Sequence, residues 1–157
     1  MSRNDASPPA VSDLKKHTGF WLRFVSNHVS HAFARKLAAS SVTVAEWVVM
    51  REMYGEEAMP SSVLAEKIGM TRGAASKLID RLVGKQFVTR RDRTDDRRFQ
   101  DIALAPAGKR LVPALAALAD RNDEEFFHPL SAKEREFLIA TLKKLARAHK
   151  LHKLPTE

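Results

Sequence analysis

The stretch VLAEKIGMTRGAASKLIDRLVGKQFVTRRDRTDDRRFQDIALAPAG, from Val63 to Gly108, decides the fold. Its first half has the spacing of a helix-turn-helix. Two short helices cross steeply only where a small residue lets their backbones approach and a glycine permits the turn. Ala65 is that small residue and Gly69 the turn, with Leu64, Ile68, Met70, Ala75, Leu78 and Ile79 as the inner face. Thr71 can N-cap the second helix, which the pattern carries to about Lys85. Its outward positions are then Arg72, Gly73, Ser76, Lys77, Asp80 and Arg81. That face is basic, short-chained at its start and free of bulky apolar groups, as a helix entering a major groove about 12 Å wide requires. An ordinary helical hairpin is the plainer alternative for this segment.

The second half argues against the hairpin alternative. Phe87 to Asp92 and Phe99 to Ala105 read as two short strands flanking a polar tip, Arg93 to Arg98. A basic tip just after a recognition-type helix makes a wing, whose Arg97 and Arg98 can reach a minor groove or flanking phosphates. Asp95 and Asp96 would oppose phosphate if left alone, so they are expected to pair with those arginines or with tip amides.

Charge supports a polyanionic partner. The 157 residues carry 27 Lys and Arg against 19 Asp and Glu, a net charge of +8, with a pI near 10.0. Between Arg72 and Arg98 nine basic residues face four acidic ones, so most of the excess sits in this one segment. A charged face that is merely solvated is the bland alternative. One tyrosine, and no basic groove with interleaved aromatics, favours duplex over single-stranded nucleic acid.

On either side the sequence reads as helices. Residues 1–12 lack periodicity and are expected to form a flexible tail, leaving 13–157 as one domain. From Leu14 the apolar residues Trp21, Val25, Val29, Phe33 and Leu37 recur at helical spacing, and Phe20, Leu22 and Phe24 widen the stripe. A helix apolar on more than one side, in so small a protein, points to burial by a second chain. Thr43-Val44-Ala45-Glu46 has the form of a capping box opening a helix to about Tyr54, ended by Gly55. Pro60 precedes a short helix, Ser61 to Ile68. Pro106 and Gly108 open a helix to about Phe127, and Ser131-Ala132-Lys133-Glu134 is a second capping box for the last one.

Several classes fall away. With no cysteine there is no disulfide, thiolate metal site or thiol nucleophile. Gly-x-Ser-x-Gly, Gly-x-Gly-x-x-Gly and phosphate-loop motifs are absent, and the acidic pairs lie in polar surroundings, so no enzyme and no cofactor is expected. The longest apolar run, Leu111 to Ala119, is about half of the ~20 residues that span a bilayer. The N-terminus has no apolar signal core, and a cytoplasmic protein with no membrane association is expected. His28 with His31, and His149 with His152, each place two imidazoles one turn apart. A metal site needs a third ligand, and none is assigned.

In these features the sequence resembles the MarR family of bacterial winged-helix transcriptional regulators. The resemblance runs over about residues 14–150. It rests on Leu64-Ala65, Ile68-Gly69, Thr71, Arg81-Leu82, Asp96-Arg97-Arg98, and Leu104 with Gly108. It implies a mainly α fold with a small β-hairpin wing, the winged helix-turn-helix lying within 43–105. It also implies a homodimer joined by helices in 13–38 and 106–150, with two winged helices on adjacent grooves of a pseudo-palindromic double-stranded DNA operator. The function implied is sequence-specific regulation of transcription, as a repressor released by a small ligand. Thr71, Arg72, Ser76, Lys77 and Arg81, with Arg97 and Arg98 on the wing, are the expected DNA contacts. Members of the family commonly bind small aromatic or phenolic acids between the dimer helices and the winged helix. Here Trp47 and Arg51, four apart, would offer a stacking face and a guanidinium near Trp21 and His28; the plainer alternative makes Trp47 a core residue and Arg51 a surface or ion-pair residue. An architectural protein that binds DNA without sequence preference is the alternative. Two positions depart from the family pattern. Gln86 stands where members often have Gly, and Ala105 where a Thr usually caps the next helix. A left-handed Gln86 would cost about 1 kcal/mol, unless Gly84 moves the helix end.

Overall fold

The computed structural model describes residues 11–92 and 100–152. The described chain is mainly helical with one small sheet: α1 (Thr18–Leu37), α2 (Val44–Met53), β1 (Met59–Pro60), α3 (Ser61–Lys67), α4 (Arg72–Gly84), β2 (Val88–Asp92), β3 (Gln100–Leu104), α5 (Pro106–Phe127) and α6 (Ala132–Ala148).

Local chemistry sets most boundaries. Thr43 and Ser131 each form the reciprocal capping box, the hydroxyl accepting from the third helical amide and the glutamate accepting from the cap amide. Leu14 lies outside the first helix, contrary to the periodicity. Asp13 accepts from the Lys15 amide and starts a short 3-10 turn, and His17 is extended, so α1 opens only at Thr18. Trp21 Nε1 then donates to Lys15 O at 2.9 Å and ties that turn to the helix.

The sheet is antiparallel in the order β1-β3-β2, with Val88 opposite Leu104 and Asp92 opposite Gln100. Strand β1 is not apparent in the sequence. Its two residues pair with Ile102 and Asp101 because β3 offers them a free edge. The core lies beneath the sheet, where Met50, Met53, Leu64, Ile79, Leu82 and Ile102 are fully buried. Gly108 sits at the start of α5 where a Cβ would collide with the carbonyl oxygen of Phe87, which also accepts from the Ala105 amide. Ala105 is the N-cap of α5 and supplies no side-chain hydrogen bond, as the sequence leads one to expect.

Helix α1 packs along α5. Asn122, buried in α5, donates to Val29 O and accepts from Lys36 Nζ, which also pairs with Glu125 at 2.7 Å. Only Phe33 and Leu37 of α1 are buried, while Trp21, Leu22, Phe24 and Val25 remain exposed. Helix α6 buries no side chain, and Phe137 is 75% exposed with Ile139, Leu142 and Leu145 also open. Arg135 links α6 back to α5, donating to Phe127 O and pairing with Glu124. No helix among the described residues is long and apolar enough to cross a membrane.

Candidate nucleic-acid interface

The turn between α3 and α4 is built from backbone hydrogen bonds. Gly69, at φ 66°, lets its amide reach Glu66 O while the Met70 amide reaches Ala65 O. This pairing closes the carbonyl end of α3 and needs a left-handed residue at its centre. Thr71 then caps α4, its hydroxyl accepting from the Ala74 amide at 3.2 Å. Ala75, Leu78, Ile79 and Leu82 face the core, leaving Arg72, Gly73, Ser76, Lys77, Asp80 and Arg81 exposed. The sequence-derived division of this helix into two faces therefore matches the structure residue by residue. A Cβ at Gly73 would meet nothing within 4 Å, so the N-terminal part of the face is unobstructed.

The cations of this region fall into two groups. Among the described residues, Arg72, Lys77, Arg81 and Arg91 form no ion pair and point to solvent. Arg90 and Lys85 are committed within the chain. Arg90 of β2 pairs with Asp80, binding the first wing strand to the outward face of α4. Lys85 Nζ lies 2.9 and 2.7 Å from the two carboxylate oxygens of Glu46 and 2.7 Å from Ser41 O. Burial would raise the Glu46 pKa, but the hydrogen bonds from Lys85 and Thr43, with the Lys85 charge, outweigh it and hold the carboxyl below the ordinary glutamate value. Spacing gave no sign of this pair, because its members lie 39 residues apart. Arg97 and Arg98, like Asp95 and Asp96, lie outside the described residues.

The end of α4 resolves the question raised by Gln86. Gly84 is the last helical residue and does not shift the terminus. Gln86 takes φ 62°, with its amide on Val83 O and the Phe87 amide on Leu82 O, so a non-glycine residue occupies the left-handed position.

The residues expected to hold a small ligand separate. Trp21, Phe24 and His28 share the exposed face of α1, with the His28 ring 4.6 Å from that of Phe24. Trp47 is buried and meets Phe33 edge-on at 6.3 Å. The expectation that Trp47 offers a stacking face beside Arg51 is thus corrected: its ring belongs to the core, while Arg51 is exposed. Four-residue spacing put both on one side of α2, but the boundary between core and solvent runs between them. Among the described residues no three of His, Asp or Glu gather as a metal site, so neither His28 with His31 nor His149 with His152 has a third ligand there.

Comparison with known proteins agrees with this architecture. Residues 42–99, from the opening of α2 through the wing, match the family model described as MarR family. A probable transcriptional regulator from Pseudomonas aeruginosa superposes with a TM-score of 0.78 at 24% identity, over 85% of this chain and 99% of that one. A mutant MarR from E. coli complexed with operator DNA gives 0.78 at 23%, over 85% and 99%. BpsR of Bordetella bronchiseptica, in a structure concerned with regulation of its DNA binding by 6-hydroxynicotinic acid, gives 0.78 at 21%, over 87% and 99%. At these identities the superpositions establish the shared winged-helix fold. Residues 42–99 thus match the MarR family model, and the described chain shares the fold of the MarR-family structures on which it superposes.

Proposed function

We propose that this protein is a sequence-specific, double-stranded DNA-binding regulator of transcription that acts as a homodimer. The observation that carries the reading is the outward face of α4, where Arg72, Lys77 and Arg81 are exposed and without an ion-pair partner among the described residues, beside the small Gly73 and Ser76. Such a face can enter a major groove, with Arg72, Ser76 and Lys77 at base edges and Thr71 and Arg81 at phosphates. Arg97 and Arg98 are assigned to the wing contact on the sequence alone. The apolar residues left open on α1 and α6 support the dimer, with 13–38 and 106–150 as its joining regions, because exposed side chains of this size at helical spacing mark an interface. Two winged helices related by a two-fold axis suit a pseudo-palindromic operator with half-sites about one helical turn (~34 Å) apart.

Release by a small aromatic or phenolic ligand is the regulation we assign to it, in line with the described effect of 6-hydroxynicotinic acid on BpsR. Trp21, His28 and Arg51 are the candidate contacts. A ligand wedged between the dimer helices and the winged helix would favour a separation of recognition helices that no longer fits the half-sites, which is repression relieved by a population shift. An Arg51→Ala protein with an unchanged ligand response would remove Arg51 from this assignment.

The test is a titration of the protein onto duplex from upstream of its own gene and onto scrambled duplex of equal length, at ~0.15 M salt. Saturable binding tighter by about 10³ or more, with two chains per site, is the expected result. Equal binding to this duplex, to scrambled duplex and to the best duplex selected from a random pool would move the function to architectural binding.

A further inference from the structure

Lys85 is counted in the sequence among the cations of a DNA-binding segment, yet its ammonium group faces inward. A lysine ammonium has three protons to donate. Here three acceptors stand within hydrogen-bond distance: both oxygens of Glu46, at 2.9 and 2.7 Å, and the carbonyl of Ser41, at 2.7 Å. The Glu46 side chain is 1% exposed, and it also accepts from the Thr43 amide at the start of α2. Ser41 takes φ 54° at the end of the 3-10 turn that continues α1. One ammonium group therefore joins the α1–α2 junction, at Ser41 and Glu46, to the C-cap of α4, 39 residues beyond Glu46 in the sequence.

We propose that Lys85 is a positioning residue. With Glu46 and Ser41 it locks the end of the recognition helix to the α1–α2 junction, and so fixes the half-site spacing that the dimer accepts; it makes no phosphate contact. The first part follows from the anchoring of α4. Its start is held by the Gly69 turn to α3, and its Leu82 and Ile79 side chains reach the core. Apolar packing tolerates small rotations of a helix, whereas a buried carboxylate held by a fully hydrogen-bonded ammonium tolerates few, because any shift leaves the desolvated Glu46 charge poorly partnered. Since α1 carries the exposed apolar face that would meet a second chain, the vector from α1 to α4 sets the distance between two recognition helices. The second part follows from saturation of the ammonium donors.

The spacing claim rests on the DNA-binding reading; the lock itself does not, and two measurements keep them apart. The sequence has no cysteine, so Ser30→Cys and Ser76→Cys, both at exposed sites, give one spin-labelled pair reporting α1 to α4 within a chain when diluted with unlabelled protein. Lys85→Met alone strands a buried carboxylate and can unfold the chain. The variant used is therefore Glu46→Gln with Lys85→Met, which leaves an oxygen to accept from Thr43 and no lone charge. Cooperative melting establishes that this variant is folded. The expected result is one narrow distance in the parent and a broadened or displaced distribution in the folded variant. An unchanged distribution overturns the lock. On the best duplex that the parent protein selects from a random pool, the variant should bind about tenfold more weakly. It should also discriminate less against one-base-pair changes in half-site spacing, with the slope of log K against log salt unchanged. Spacing discrimination equal to the parent's overturns the spacing claim, and a slope shallower by about one per chain makes Lys85 a phosphate contact. If the parent selects no duplex, the DNA reading falls and the spacing claim with it, while the label distances still decide the lock.

Discussion

Asp80, on the outward face of α4, holds the guanidinium of Arg90 from strand β2. Both side chains are substantially exposed, so the pair adds little to fold stability. Its weight lies in where it places charge. On the face proposed to meet DNA it neutralises one cation and fixes the wing strand against the helix. Asp80→Asn should free Arg90 and raise affinity for scrambled duplex, steepening the salt dependence by about 0.9 in log–log slope for each arginine that gains a phosphate. Fluorescence anisotropy over a range of salt concentrations measures this. A slope equal to that of the parent would mean that Asp80 does not withhold Arg90 from DNA.

Gln86 in the left-handed region leads to the second prediction. A side chain there crowds its own backbone, and glycine relieves that at the cost of a more flexible unfolded chain. Gln86→Gly should stabilise the protein by about 0.5 to 1 kcal/mol. Urea unfolding with an unchanged m-value is the check. A lower midpoint would show that the Gln86 side chain makes a contact worth more than the strain.

The contrast between these sites and Glu46 shows what the sequence made legible. Caps and turns were readable because their chemistry spans four or five residues. Thr43 with Glu46, Ser131 with Glu134, and Gly69 each announce themselves locally, and alternation of burial divided α4 correctly down to Asp80 and Arg81. Long-range choices were not readable. Strand β1 exists because β3 has an open edge, and no pattern in Met59-Pro60 carries that. Trp47 at four residues from Arg51 looked like a shared face, but Phe33, from another helix, draws the indole inward. Lys85 counted as one more cation until Glu46 and Ser41 were brought to it by the fold.

Glu46 also predicts an acid response. Burial raises its pKa, but the Lys85 and Thr43 interactions win, so the folded value lies below the unfolded one. A carboxyl shifted in that direction contributes stability that is fully present above its unfolded pKa and is lost as pH falls through the folded value. Unfolding free energy should therefore decline more steeply below the ordinary glutamate range in the parent than in Glu46→Gln. Parallel pH profiles for the two proteins would show that Glu46 is not a source of the acid sensitivity.

Helix α6 has no place in the core of its own chain, and the dimer reading gives its apolar side chains a partner. Leu142→Glu with Leu145→Glu should yield a monomer in sedimentation experiments at micromolar concentration, because two charges would be forced into an apolar interface. The core packing around Leu82 and Ile102 does not involve these residues. A double variant that remains dimeric would place the interface elsewhere.

The recognition face is tested by asking which contacts carry information. Arg72 opens α4 and Lys77 lies about a turn and a half further on; both are assigned to bases, whereas Arg81, near the end of α4, is assigned to phosphate. Arg72→Ala or Lys77→Ala should cost about 1 to 3 kcal/mol on the selected duplex and relax preference at one base-pair position in each half-site. Arg81→Ala should weaken binding to selected and scrambled duplex alike and reduce the salt slope by about one per chain. The two patterns cannot be produced by the same defect, since a general loss of charge lowers affinity for every sequence while a lost base contact spares scrambled DNA. If Arg72→Ala and Lys77→Ala both behave like Arg81→Ala, the face binds backbone only, and sequence preference must come from the wing or from the shape of the duplex.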